Sequence, residues 1–513
     1  MTEGLEKERK RIQDALDEKK SRPERNRMGQ FSTPYRLAEA ITREAKRLMP
    51  SGDVRFLEPS AGMGVFYSAF LTIFGTEASV ATGYEIDPHY GGPSQMFWKS
   101  RRFDIRIGDF FRAEPERKYN LLISNPPYSR HHHIPSDEKA ILGGRVKEET
   151  GLTLSGLAGL YCYFLILSGK WLEEGALSVW LIPSEFMDVN YGKSLKQYLL
   201  EHVELVRIHR FLPEEVKFDD ALVTSSVVFF RNRNPREGHV ARLTEGGSLD
   251  APLHDRTLKT SGIRPEDKWS RLFSRNDEET GTETGKEVRL GDFFTVSRGL
   301  ATGDNKFFII GRETVKHYQI PAAFLKPILP APRYMKADII RRESQSMEPD
   351  ALYLFSCAIP EEDLRRLYPS VWEYVRHGME QGVADRYICR NRPLWYSCEN
   401  RAPAPLLIPY MGRKNSGTGA FRFILNETDI IATNSYLMIY PKQSYRKHME
   451  DKLVIRHIWN VLNRIPKTDI LSEGRVYGGG LYKVEPRELM NLPVPALTEI
   501  IGTPKHPIQL DLF

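Results

Sequence analysis

The chain has 513 residues, more than one ordinary hydrophobic core organises, and its 41% hydrophobic and 27% charged residues are the proportions of a folded globular protein. That balance excludes wholesale disorder, collagen-like repeats and a membrane-embedded chain. A formal net charge of +6 permits a nucleic-acid partner where basic residues cluster, without requiring one.

The opening MTEGLEKERKRIQDALDEKK is charged from its third residue. It lacks the apolar stretch of a secretory signal, and no later run approaches the roughly twenty apolar residues of a membrane helix. A cytoplasmic protein without membrane contact is therefore expected. Residues 1–27 read as a charged helix or arm exposed to solvent. The four cysteines, Cys162, Cys357, Cys389 and Cys398, form no C-x-x-C pair, so they predict neither a disulfide framework nor a zinc site.

From residue 28 onwards VRFLEP, SVATGYEID, DIRIGDF and YNLLIS read as strands, followed by a helix at GLYCYFLILSGKWLEEG. A strand at ALSVWLIP, a helix at GKSLKQYLLEHV and strands at LVRIHRFL and VTSSVVFFR complete the series. This alternation predicts an α/β domain on a largely parallel sheet over residues 28–235. The polar, glycine-rich segment 236–285 reads as a linker. Residues 286–513 mix short strands with aromatic and basic loops, show no tandem period, and predict a separate α+β domain.

The first strand ends in FLEPSAGMGVF, where Gly62 and Gly64 would let the backbone approach a ligand at the carboxyl edge of the sheet. Glu85, about twenty residues later in GYEID, stands where a carboxylate accepts from ribose hydroxyls. A pyrophosphate-containing cofactor would need a glycine at position 67, which is Tyr67, so a nucleoside cofactor without a pyrophosphate fits better. Asp109 and Phe110 in GDFF could accept from an adenine amino group and cover its ring. Three carboxylates at successive strand ends, Glu58, Glu85 and Asp109, mark a site more convincingly than any one alone.

The fourth strand ends in LLISNPPYSR. Proline fixes φ and lacks an N–H, so Asn125-Pro126-Pro127-Tyr128 holds two acceptors rigidly, the Asn125 side-chain oxygen and the Pro126 carbonyl. An amino group conjugated to an adenine ring is a poor nucleophile because its lone pair is delocalised. Two acceptors on its hydrogens favour the tetrahedral nitrogen of the transition state without a strong base. Tyr128 would stack on a base taken out of its duplex.

In order and spacing, these motifs resemble those of the γ-class, TaqI-like N6-adenine DNA methyltransferases of restriction-modification systems, over residues 28–231. The resemblance implies a Rossmann-like domain with a largely parallel seven-stranded sheet, S-adenosyl-L-methionine as cofactor, and a target-recognition domain after it. MGQFSTPYRLAEAI resembles the segment that holds the cofactor's methionine end, with Thr33 and Pro34 as contacts. Glu58, Ser60, Ala61, Gly62 and Gly64, then Glu85 and Ile86, then Asp109 and Phe110, occupy the next three cofactor motifs, with Met63 a tolerated variation between the glycines. Phe164 in LYCYFLI matches an aromatic at the cofactor adenine, and Phe218 in EVKFDDALVTSSVVFF a second ring against the flipped base. The implied activity is site-specific methyl transfer to double-stranded DNA, protecting it from a separate cognate restriction endonuclease, by a monomer or dimer. An RNA base, a protein glutamine, or DNA reading without catalysis are the other readings. The large C-terminal domain disfavours the first two, and intact Asn125, Tyr128 and Glu85 the third.

His131, His132 and His133 follow the motif, but neighbouring side chains diverge and no further ligand stands at metal spacing; with Arg130, His131 is expected on a loop touching DNA. In the C-terminal domain, three loop-like stretches resemble the recognition domains of adenine methyltransferases and specificity subunits: SRGLATGDNKFFII, RNRPLWYSCENRAPAPLLIPYMGRKNSG and GRVYGGGLYKVEPRELMNLPVP. Arg298, Lys306, Arg413, Lys414 and Arg475 are the candidate DNA contacts. Glu215-Val216-Lys217 resembles a nuclease fragment but lies inside the motif that carries Phe218, so no nuclease is expected in this chain.

Overall fold

The computed structural model describes residues 2–21, 24–25, 28–75, 78–129, 134–212, 224–273, 288–341, 351–413, 421–477 and 481–502. Phe218, Arg130, His131 with His132 and His133, Lys414 and the Glu215–Lys217 fragment lie outside them. The chain divides into two compact units, Met1–Gly281 with Tyr477–Gly479, and Thr282–Val476 with Gly480–Phe513. Among the described residues no helix is long and apolar enough to cross a membrane.

The first unit opens with α1 (Thr2–Asp17) and α2 (Tyr35–Leu48). Strands and helices then alternate: β1 (Val54–Glu58), α3 (Val65–Phe74), β2 (Ala78–Glu85), α4 (Pro88–Trp98), β3 (Asp104–Ile107) and β4 (Tyr119–Ser124). After these come α5 (Ser136–Thr150), α6 (Leu160–Leu167), β5 (Leu172–Pro183), α7 (Lys193–Glu201), β6 (Glu204–Arg210) and β7 (Ser225–Arg231). The sheet runs β3-β2-β1-β4-β5-β7-β6, with β7 antiparallel to both neighbours. The chain leaves β1 towards β2 on one side, and β4 pairs on the other, so a switch point lies between the ends of β1 and β4.

The central strands read as unbroken apolar runs because both faces are covered. Leu122 of β4 enters one core with Leu57, Trp180 and Phe230, while Leu121 and Ile123 enter another with Phe56, Val179 and Phe229. Strand alternation thus feeds two cores from one sheet.

Two expectations are corrected. The sheet has nine strands rather than seven, because β8 (Val240–Gly247) and β9 (Pro252–Lys259) extend it beyond β6. These strands lie in the segment 236–285 expected as a linker. Of the apolar side chains of β8 only Ala241 and Leu243 are deeply buried, a weak apolar signal, and Thr244 and Glu245 are buried beside them through polar bonds. Buried Arg207 of β6 donates to Glu44 of α2 at 2.6 Å, to Thr244 at 3.1 Å and to the Leu249 carbonyl at 2.8 Å. The second correction concerns the N-terminal arm, which is docked on the domain. Arg9 is buried and pairs with Glu6 at 2.7 Å, and Ser68 of α3 donates to the same carboxylate at 2.6 Å.

The second unit holds a five-stranded sheet in the order Phe294–Arg298, Tyr436–Pro441, Leu406–Pro409, Ile424–Asn426, Ile339–Ile340, antiparallel except at its last pair. A smaller sheet of Ile309–Gly311, Leu352–Phe355 and Leu325–Pro327 packs with Phe307, Tyr374 and Tyr396 in its own core. The unit is α+β, as expected.

Glu44→Ala leaves the buried Arg207 guanidinium without its counter-charge. It should lower the stability of the first unit by about 3–5 kcal/mol, seen as an earlier urea transition in tryptophan fluorescence; an unchanged transition would show that this pair does not anchor β6 and β8 to α2.

Candidate active site

At the carboxyl edge of the sheet, around the switch point, the first unit encloses a cavity of about 470 Å³, a volume suited to a nucleoside-sized ligand. Thr33, Glu58, Ser60, Ala61, Gly62, Glu85, Ile86, Asp109, Phe110, Asn125, Pro127 and Phe164 all line it. Residues from four strand ends, a helix and the segment before α2 therefore meet in one place, as the motif order predicts.

The loop after β1 depends on its glycines. Gly64 takes φ +72°, and a Cβ there would stand 2.5 Å from Nε1 of buried Trp98. Gly64 shapes the turn, although it does not itself line the cavity. The Gly62 amide donates to one Glu85 oxygen at 2.9 Å and the Asp87 amide to the other at 2.8 Å. Both oxygens keep further lone pairs for a ligand. Burial raises the Glu85 carboxyl to about 6 despite these two amides. Glu58 is wholly buried, and that burial pushes its carboxyl well above the usual carboxylate range. Nearby Arg9 and the amides of Tyr67 and Phe66 oppose the shift, while one Glu58 oxygen finds no partner among the described residues. Asp109 accepts from the Phe111 amide at 2.9 Å and caps the turn that carries Phe110. The Phe110 ring lies parallel to Phe164 with centroids 5.8 Å apart, a two-ring apolar wall.

The Asn125 amide is oriented by the segment before α2. Its Nδ2 donates to the Phe31 carbonyl at 3.2 Å and to Thr33 Oγ1 at 2.9 Å. A carbonyl can only accept, so the nitrogen must face it, and Oδ1 points the other way. That oxygen is buried and has no partner among the described residues. Ser60 Oγ donates to the Asn125 carbonyl at 2.9 Å, joining the β1 loop to the β4 loop. Gly29, at φ +67°, lies so close to the motif that a Cβ would sit 2.5 Å from the Tyr128 nitrogen.

Other candidates stand elsewhere. Tyr128 is buried, packs its ring on Phe31 at 5.8 Å and donates its hydroxyl to the Leu181 carbonyl of β5 at 3.1 Å, so it does not line the cavity. Pro126 is buried, and Pro34 is exposed at the start of α2. In the second unit Arg298 pairs with Glu485 at 3.1 Å and stacks over Tyr410, while Lys306 is exposed. Arg413 and Arg475 lie on the short strands Met411–Arg413 and Arg475–Tyr477. Much of SRGLATGDNKFF is structural. Asp304 caps Asn305–Phe308 and pairs with Arg386 at 2.9 Å. The sequence reading missed Gln13, Asp17 and Tyr90, which also line the cavity; the only trace of α1's packing in the sequence is its few apolar positions, such as Leu16.

The Eco57I restriction-modification methylase family matches residues 91–218, and the C-terminal domain family of the type II methyltransferase M.Eco57I matches residues 266–511. The chain belongs to the restriction-modification methyltransferases. The methyltransferase is 27% identical to the type II methyltransferase M.AccI of Acinetobacter calcoaceticus over 91% of its own length and 85% of that protein. It is 28% identical to M.XamI of Xanthomonas campestris pv. amaranthicola over 87% and 81%. Among solved structures it is similar to the type IIG restriction endonuclease BpuSI, with 15% identity and a TM-score of 0.44, covering 90% of this chain and 58% of that one. The methyltransferase thus spans more than four fifths of these two relatives and a little over half of that structure.

A carboxyl whose folded value exceeds its unfolded 4.5 favours the folded state when protonated. That contribution is complete below pH 4.5 and is lost as pH rises through about 6. Glu85→Gln removes it, so relative to the unaltered chain the variant should gain stability as pH rises across this window. Parallel pH profiles of the two unfolding midpoints would show that Glu85 does not titrate there.

Proposed function

We infer that this DNA methyltransferase uses S-adenosyl-L-methionine to methylate the N6 amino group of an adenine extruded from duplex DNA at a specific site. The observation that carries the reading is the Asn125 amide, whose oxygen is held as a buried acceptor with no partner among the described residues. Buried acceptors are costly to leave unpaired, and because Asn125 lines the cavity a donor that arrives with the substrate explains this one.

The cavity fits the proposed methyl donor. Five carboxyl groups line it, Asp17, Glu58, Glu85, Asp109 and Glu138, with no lysine, arginine or histidine among the described lining residues. Such a wall disfavours a phosphate and favours a cationic nucleoside. Glu85 would hold the ribose hydroxyls, Ile86, Phe110 and Phe164 the adenine, and Thr33 with the β1 loop the amino-acid end. When bound, S-adenosyl-L-methionine supplies an electrophilic methyl group on a sulfonium sulfur. Asn125 Oδ1 and the Pro126 carbonyl would accept the two N6 hydrogens of the target base, concentrating the nitrogen lone pair for attack. Tyr128, tied to β5 and pressed on Phe31, would fix the backbone of the motif, and Phe218 would meet the extruded base.

The C-terminal unit is read as the target-recognition domain, with Lys306, Arg413, Lys414 and Arg475 as candidate contacts and Arg298 available only if it leaves Glu485. Arg130 and His131 would contact DNA beside the motif. A separate cognate restriction endonuclease is the corresponding partner.

Asn125→Ala should lower transfer of labelled methyl groups to duplex DNA by about 10²–10³-fold or more, with binding of S-adenosylhomocysteine retained. Near-normal N6-methyladenine in digests of DNA treated with the variant would remove the acceptor role.

A further inference from the structure

Helix α1 contributes two polar side chains, Gln13 and Asp17, to the cavity wall. It is fixed there by bonds to α4 and to the segment before α2. The Tyr90 hydroxyl donates to Asp17 Oδ1 at 2.7 Å, and the Ser32 hydroxyl donates to Asp17 Oδ2 at 3.1 Å. Gln13 Nε2 donates to that same Ser32 oxygen at 2.6 Å. A ring nitrogen of His89 stands 3.0 Å from the Leu16 carbonyl, and Lys20 pairs with Asp87. The Asp17 carboxylate is therefore held in place rather than swinging in solvent.

Its surroundings differ from those of the other acids in the cavity. Glu58, Glu85 and Asp109 each accept from backbone amides. Asp17 instead accepts from two side-chain hydroxyls, one on each oxygen, which leaves acceptor capacity on both. Glu138 stands near Asp109, on the adenine side of the proposed donor site. Asp17 is joined through Ser32 to the segment that carries Thr33, the residue assigned above to the donor's amino-acid end, and through Tyr90 to the helix that follows the Glu85 strand.

We propose that Asp17 is the anionic contact for the ammonium group of the methyl donor's amino-acid portion, which makes α1 part of the donor site. The assignment rests on the donor reading of the preceding subsection. An ammonium offers three donors and a full positive charge; Asp17 offers fixed acceptors and the charge opposite to it. Gln13 and Tyr90 act as positioning residues, holding Ser32 and the carboxylate.

Two variants and two nucleosides test the assignment. Asp17→Asn keeps the side-chain shape, and its amide can still bond the Tyr90 and Ser32 hydroxyls, so the helix stays docked while the charge is lost. Tyr90→Phe removes one tether and keeps the charge. Calorimetric titration of the full chain compares S-adenosylhomocysteine with methylthioadenosine, the same nucleoside thioether without the amino-acid portion. Asp17→Asn should weaken S-adenosylhomocysteine about tenfold or more and methylthioadenosine less than about twofold, the loss expected for a charge-assisted bond. Tyr90→Phe should preserve the preference for S-adenosylhomocysteine. Equal losses for both nucleosides, no loss for either, or the same selective loss in Tyr90→Phe overturns the assignment. If the unaltered chain binds neither nucleoside, the donor reading itself falls and takes this assignment with it.

Discussion

The Asn125 side chain is oriented by two acceptors more than ninety residues upstream, the Phe31 carbonyl and Thr33 Oγ1. Much of the first unit serves that orientation. The strand order brings the ends of β1 and β4 together, so Ser60 can clasp the Asn125 carbonyl, and Gly29 can lie against the backbone of Tyr128. The segment before α2 is in turn held by α1 through Ser32, Gln13 and Asp17. An acceptor that must be ready before its donor arrives needs this kind of support, because an amide free to rotate would lose its preference for one orientation.

The same edge carries a second constraint, the concentration of acidic groups in a partly apolar cavity. Burial raises Glu58 and Glu85, and the amides of the β1 loop, of α3 and of Asp87 only partly offset it. Such a site tolerates its own charge poorly and gains most from a ligand that brings hydroxyl donors and positive charge. The cost of holding these carboxyls is met by the two cores that grip β1 and β4 from both faces.

Strand order and motif order were legible because each strand of the first unit carries its own local signal. The apolar runs VRFLE and NLLIS lead into prolines, which fix φ, and into glycines, which can take positive φ, and those residues make the turns on which the site is built. β8 and β9 were illegible because few of their residues are apolar and buried, and because the buried Arg207 that ties this segment to α2 looks in the sequence like any surface charge. The N-terminal helix misled for the same reason. Its Glu6 and Arg9 read as solvated and are paired in the interior. Beside the paired prolines Tyr128 reads as a stacking ring, and only the folded chain shows its hydroxyl bonded to the Leu181 carbonyl and its ring against Phe31.

The sequence by itself determined the α/β class, the order of the motifs along the sheet edge and the rigid end of β4, since these depend on alternation, glycine spacing and paired prolines. Only the tertiary structure decided which way the Asn125 amide faces, that the first unit reaches past residue 260, and that α1 closes one wall of the cavity. Those outcomes rest on polar contacts between residues far apart in the chain. Such contacts have no period and no local composition, so they exist only once the chain has brought the partners together.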